Sequence, residues 1–241
     1  MINFFTGRPG NGKSLHMAMI IYSEMKKGKN VIANFEINES VFKNFDRKHP
    51  GKRGTFIYVS NKELLNSSYL SYYDEKGRLH QPSKDSFSYL NGLYGYAEQF
   101  HKQNYRGQIT EGQTLLVLDE CQELFNSRSW NRNDRLEWCS FFRQHRKYGY
   151  DVYLISQDDK VIDKQIRSIL QYEWEHRCVN NYKLLGRIMG FLAGGKVFVW
   201  VKRIYGIKGK DSKIKSKFFN GQSRYYSFYD SYKTFTRDNT G

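Results

Sequence analysis

The chain has 241 residues, 39% of them hydrophobic and 26% charged, enough apolar matter for one α/β core and too much for a disordered chain. A net charge of +15 calls for an anionic partner: nucleic acid, a membrane surface or an acidic protein. Cys121, Cys139 and Cys178 include no Cys-x-x-Cys pair, which argues against a disulfide framework or a cysteine zinc site.

Ile2–Phe5 is a short apolar run ending at Thr6-Gly7, the pattern of a buried strand entering a loop. Because a phosphate loop begins at Gly7, no secretory leader is expected in front of it. Lys13–Lys27 is dense in Leu, Met, Ile and Ala and ends at Gly28, so it reads as a helix packed on a sheet. Asn30–Phe35 and Thr55–Val59 are expected strands, with a helix starting near Asn61. Tyr89–Gln103 reads as a helix inside a Gly-, Ser- and Tyr-rich insertion at about 74–113. Thr114–Leu118 is continuously apolar, as in a strand buried on both faces. Leu136–Lys147 is then an expected helix and Asp151–Ser156 a strand.

This alternation predicts an α/β protein with a doubly wound, mainly parallel sheet. Tyr172–Val179 and Lys196–Ile204 read as later strands. Leu184–Val201, the longest apolar stretch, is broken by Arg187, Lys196 and glycines, so it reads as two strands about a turn and not as a membrane span. Lys196–Lys217 carries eight basic residues and one acid, Asp211, and an aromatic tail follows from Arg224. The expected organisation is a nucleotide-binding domain at 1–180 and a small basic, aromatic-rich, β-rich extension at 181–241.

Gly7-Arg8-Pro9-Gly10-Asn11-Gly12-Lys13-Ser14 fits G-x-x-x-x-G-K-[ST], between an expected strand and an expected helix. Glycines let backbone N–H groups approach phosphate where side chains would clash, and the helix N-terminus faces the same anion. Lys13 is expected at the β- and γ-phosphates of ATP, and the Ser14 hydroxyl at Mg²⁺. Leu115-Leu116-Val117-Leu118-Asp119-Glu120 puts two acids after a buried strand, at the end where ligands bind in open α/β sheets. Asp119 is assigned to Mg²⁺ through water, and Glu120 to polarising the attacking water. Gln157, just after the next strand, is the candidate sensor of the γ-phosphate. Arg143 and Arg146 are candidates for an arginine finger offered to a neighbouring subunit, with Arg128 and Arg132 as competitors.

On these residues the chain resembles the zonula occludens toxin (Zot) family, which includes assembly ATPases of filamentous phages. The likeness rests on Thr6–Ser14 after its short strand, Ala33-Asn34, the apolar strand with its Asp-Glu at Leu116–Glu123, the block Arg143–Gln157, and Tyr229-Asp230-Ser231-Tyr232 near the end. The resemblance implies an ATPase of the FtsK–HerA type that extrudes single-stranded phage DNA at the inner membrane. It also implies ATP and Mg²⁺ as cofactors, a homo-oligomeric ring such as a hexamer, and other phage assembly proteins as partners. By position it supports Lys13, Ser14, Asp119, Glu120 and Gln157 in the roles above. The implied location is the cytoplasm or the cytoplasmic face of the inner membrane. Relatives commonly continue into a membrane helix and an external domain, and this sequence ends at Gly241. Two other classes compete with a motor: a nucleotide-dependent binding or scaffolding protein, and a small-molecule kinase whose lid would draw on Arg78 and Arg106.

Overall fold

The computed structural model describes residues 1–61, 64, 72–73, 79–80, 90–128, 135–181, 196–207, 209–221 and 223–228. Its strands are β1 (Ile2–Thr6), β2 (Asn30–Ala33), β3 (Phe56–Tyr58), β4 (Thr114–Leu118), β5 (Tyr150–Ile155), β6 (Tyr172–Cys178), β7 (Val197–Ile204) and β8 (Lys213–Asn220). They form one sheet in the order β8-β7-β6-β1-β5-β4-β2-β3. From β6 to β3 every neighbouring pair is parallel, while β7 is antiparallel to both β6 and β8. Tyr72–Tyr73 and Leu79–His80 form a separate two-stranded ribbon.

Helices cover both faces of the sheet. α1 (Lys13–Lys26) presses Met17, Ala18, Ile21 and Met25 onto Phe5, Val31, Leu115 and Val117, and the short α2 (Lys43–Lys48) lies between β2 and β3 in the chain. The opposite face holds Phe4, Leu116, Leu118, Val152 and Leu154 under α3 (Leu90–Phe100) and α4 (Arg135–Gln144). α4 supplies Trp138, Phe141 and Phe142, each essentially buried. Fully burying one such side chain contributes about 1.5–3 kcal/mol, so these two layers carry most of the driving force.

The insertion read at about 74–113 contains a helix built into this core. Leu93, Tyr96 and Ala97 of α3 are buried, and the Tyr150 hydroxyl donates to the Leu93 carbonyl at 2.6 Å. The His101 ring bridges the Thr114 hydroxyl and the Tyr148 carbonyl, each at 2.7 Å, tying the end of α3 to the start of β4.

The strand expected over Asn30–Phe35 stops at Ala33, because Asn34 turns to bind the acidic motif. The helix expected over Leu136–Lys147 stops at Gln144, with turn bonds from Lys147 and Gly149 leading into β5. The basic stretch supplies a strand that the sequence reading did not name: Lys213–Asn220 is the edge strand β8, with a bulge between Lys213 and Lys215. Lysines along an exposed edge discourage pairing with other chains, which is the physical reason a strand can look like a charge run. One sheet takes strands from both sides of residue 180, since β7 and β8 hydrogen-bond onward from β6. Arg78, Arg132, Lys208, the residues 182–195 where a glycine turn was expected, and the tail motif at Tyr229–Tyr232 lie outside the described residues.

Among the described residues no helix is long and apolar enough to cross a membrane.

Candidate nucleotide site

The parallel strands end on one edge, and the sequence-predicted groups gather there. β1 runs into the glycine loop, β4 into Asp119-Glu120 and β5 into Ser156-Gln157, with β5 lying between β1 and β4. Ser156 is tied to β1 by its N–H donating to the Phe5 carbonyl at 3.0 Å, and exposed Gln157 follows it on the same edge.

The loop geometry requires its glycines. Gly7 has φ of 137°, and a Cβ there would lie 2.5 Å from the His176 carbonyl oxygen. At Gly12, with φ of 88°, a Cβ would meet the Phe198 ring at 2.7 Å. The Asn11 side-chain amide donates to the His176 carbonyl at 2.9 Å, fixing the loop to β6. Arg8, Pro9 and Gly10 are exposed at its tip. Gly12 offers no side-chain cap and α1 has no acid in its first turn, so the helix starts with N–H donors left for an anion.

Lys13 is buried and its ammonium folds over the loop, donating to the Gly7 carbonyl at 2.6 Å and reaching the Arg8 carbonyl at 3.4 Å. Burial lowers its pKa, and the negative charges of Asp119 and Glu120 partly offset this. The strand order brings the two acids to the same edge as the loop lysine, with β5 between their strands. Half-buried Ser14 begins α1 next to it.

Asp119 is buried, and one of its carboxylate oxygens accepts the Glu120 N–H at 2.8 Å. Glu120 has φ of 45°, the sole non-glycine positive φ among the described residues. Such a conformation costs about 1–3 kcal/mol and persists where surrounding bonds over-determine it. Gln122 donates its amide to the Glu120 carboxylate, and the Cys121 N–H donates to the Ile155 carbonyl at 2.9 Å. The thiol of Cys121 is buried, and burial with the two adjacent acids pushes its pKa well up, so it is an inert wall and not a nucleophile.

The residues fit a triphosphate and a divalent cation. A positive-φ glycine cradle and a free helix N-terminus suit phosphates, and a hydroxyl at Ser14 with a carboxylate at Asp119 is the hard-oxygen donor set magnesium prefers.

Arg143 and Arg146 are not brought to this edge. They lie at and just beyond the end of α4, where the chain prepares to enter β5, and Arg146 makes a two-pronged ion pair with Glu111, ahead of β4, at 2.9 and 3.0 Å. That is the edge where strands begin. Arg106 lies on the same far edge, between α3 and β4, stacked on its neighbour Tyr105. Exposed Arg128 follows the acidic motif on the nucleotide edge, its N–H bonded to the Asn126 side chain at 2.9 Å.

Sequence reasoning missed two features. One is the role of Asn34, which entered above only as part of the family likeness: it is fully buried and bonds both backbone groups of Asp119, and the available signal was a lone amide directly after a buried strand. The other is a histidine pair beneath the loop, His16 Nδ1 and His176 Nε2, 2.8 Å apart within a cage of Phe5, Trp174, Trp200 and Phe219. Burial depresses His16 well below the ordinary histidine range and His176 to about 4, and His145 beside α4 is likewise lowered to about 4. A depressed folded-state pKa means the unfolded chain binds protons first. Stability should therefore be complete above pH 6.5 and fall as pH drops from about 6.5 to about 4. Urea midpoints measured across this window should decline with acid, and His176→Phe should flatten the decline; a midpoint constant between pH 7 and 5 would contradict it.

Comparison with known proteins gives the chain's family and fold. The family model described as zonular occludens toxin (Zot) matches residues 91–220. The Gene 1 protein of Enterobacteria phage M13 is 26% identical over 245 residues, covering 98% of this chain and 60% of its own. The Gene 1 protein of Salmonella phage IKe is 33% identical over 151 residues, covering 55% of this chain and 39% of its own. The chain thus spans about 60% of the length of the M13 relative. The crystal structure of the N-terminal domain of zonular occludens toxin from Neisseria meningitidis superposes with a TM-score of 0.51 at 16% identity, covering 95% of this chain and 98% of that one, and so shares its fold. With the family model covering more than half of its residues, the chain belongs to the Zot family.

Proposed function

We propose that this chain binds and hydrolyses ATP with Mg²⁺ and uses the energy as a motor for phage assembly, moving single-stranded DNA at the cytoplasmic face of the host inner membrane. The observation that carries the reading is the convergence of Lys13, Ser14, Asp119 and Glu120 on one sheet edge around the glycine loop. Bound magnesium would neutralise phosphate charge. Lys13 would leave the loop carbonyls for the phosphates, Ser14 and Asp119 would hold the metal site, and Glu120 would orient a water and accept its proton. A pure nucleotide-dependent scaffold has no use for Glu120 in that place. A kinase lid built on Arg106 is disfavoured, because that residue stands at the far edge of the sheet.

The expected DNA surface is the edge strand β8. Lys213, Lys215 and Lys217 are exposed along it, Lys210 stands just before it, and Phe218 is 59% exposed beside them. Lysines neutralise phosphates and an exposed ring stacks bases.

Replacing Lys210, Lys213, Lys215 and Lys217 by Gln should weaken single-stranded DNA binding and abolish any stimulation of ATPase activity by DNA. It should also reduce the slope of log affinity against log salt by up to about 3, at roughly 0.7 per phosphate released. An unaltered slope in a folded variant would move the DNA surface elsewhere. The particle mass of the parent with ATP and Mg²⁺ tests the oligomer: a multiple of the chain mass is expected, and a monomer under all conditions would argue against a ring.

A further inference from the structure

We infer that Asn34 is the positioning residue for the acidic pair, the centre of a polar brace that holds Asp119 and Glu120 in place before nucleotide arrives. The inference rests on the reading of those two acids as part of a nucleotide site.

Asn34 follows β2, the strand hydrogen-bonded to β4, and its side chain has no solvent exposure. Its Oδ1 accepts the Asp119 N–H at 2.7 Å and its Nδ2 donates to the Asp119 carbonyl at 2.8 Å. One side chain therefore holds both sides of a single residue's backbone, 85 positions away. The second Nδ2 hydrogen goes to Asn61 Oδ1 at 2.7 Å, and Asn61 Nδ2 in turn donates to Glu123 Oε2 at 2.7 Å. The chain Asn34–Asn61–Glu123 thus grips the turn at its start and at its end. Between those grips sits Glu120 at φ of 45°, with its carboxylate taken by Gln122.

A buried amide with every polar group satisfied is rigid and specific, and removing it leaves the Asp119 N–H and carbonyl without those partners. The backbone around Asp119 would then relax, and relief of the strained φ at Glu120 would follow. A carboxylate displaced by about 1 Å holds a cation and orients a water poorly, while the glycine loop and Lys13, which follow β1 and open α1, stay intact. The predicted signature is loss of metal-dependent behaviour with phosphate-loop binding retained.

The test uses the full chain. Amide exchange is followed over residues 115–125 without nucleotide, and binding of a non-hydrolysable ATP analogue is measured with and without Mg²⁺. Asn34→Ala should speed exchange at Asp119 by at least tenfold and raise the Mg²⁺ concentration for half-maximal effect several-fold. Analogue affinity without Mg²⁺ should stay within about twofold, and kcat should fall more than KM rises. Asn61→Ala, at a half-buried surface position, should shift the same quantities in the same direction by less, and it decides the matter if Asn34→Ala does not fold. Exchange and Mg²⁺ dependence unchanged in the folded variants would overturn the brace. An equal loss of affinity with and without Mg²⁺ would overturn it too, showing a merely structural role. Failure of the parent to bind the analogue would count against the nucleotide reading instead, and the exchange comparison would still judge the brace.

Discussion

Lys13→Ala is expected to abolish measurable ATP hydrolysis, a fall in turnover of about 10²–10³ or more, with weaker nucleotide binding. In the structure the Lys13 ammonium is the buried cation of the loop, held by the Gly7 and Arg8 carbonyls, and faces the charges of Asp119 and Glu120. Its lowered pKa reflects the cost of burying a charge there, a cost offset when triphosphate brings negative charge to the same place. Alanine removes the charge and leaves the glycine cradle and helix N-terminus, so residual binding through backbone N–H groups is expected while stabilisation of the transferring phosphoryl is lost. Steady-state phosphate release and a fluorescent-nucleotide titration on parent and variant check both parts. Normal turnover in Lys13→Ala would dismiss the loop as the site of chemistry. Because Lys13 packs within the loop, the variant should also be compared by thermal unfolding, where only a small shift is expected.

Glu120→Gln should separate binding from chemistry. The amide preserves size but cannot accept a proton, and loss of a general base slows turnover by about 10²–10⁴. Nucleotide should still bind, since the loop, Lys13 and Asp119 are untouched. The resting contact with the Gln122 amide can be kept by the oxygen of the new side chain, so the strained backbone at position 120 should survive. Glu123 is the internal control: it is exposed and bonded to Asn61, at the far end of the turn. Single-turnover hydrolysis with Glu120→Gln and Glu123→Gln side by side should show a large defect in the first and a modest one in the second. The reverse pattern would shift the catalytic assignment along the turn.

Sequence alone determined what depends on neighbours in the chain. A glycine loop between a strand and a helix is local chemistry: spacing fixes which residues must be small and which must reach phosphate, so Gly7–Ser14 could be read directly. The parallel strands β1, β4 and β5 were legible for the same reason: each is short and mostly apolar, β4 without a break because it is buried on both faces, and the acids after β4 followed from the strand's end.

Tertiary structure decided what depends on residues far apart. The loop rests on β6 and β7, with the His176 carbonyl against Gly7 and the Phe198 ring against Gly12, contacts spanning well over a hundred residues that no periodicity reports. β8 was hidden because an edge strand is exposed and guarded by lysines, so its pattern registers as charge. Asn34 shows in the sequence only as an amide closing an apolar run, and its role emerges when β2 is laid beside β4, which brings that amide to the backbone of Asp119. Arg143 and Arg146 follow the acidic motif in sequence, yet α4 runs back across the sheet and delivers them to the opposite edge. Sequence distance gives reach along the chain, and only the direction of the helix tells at which end of the sheet a side chain arrives.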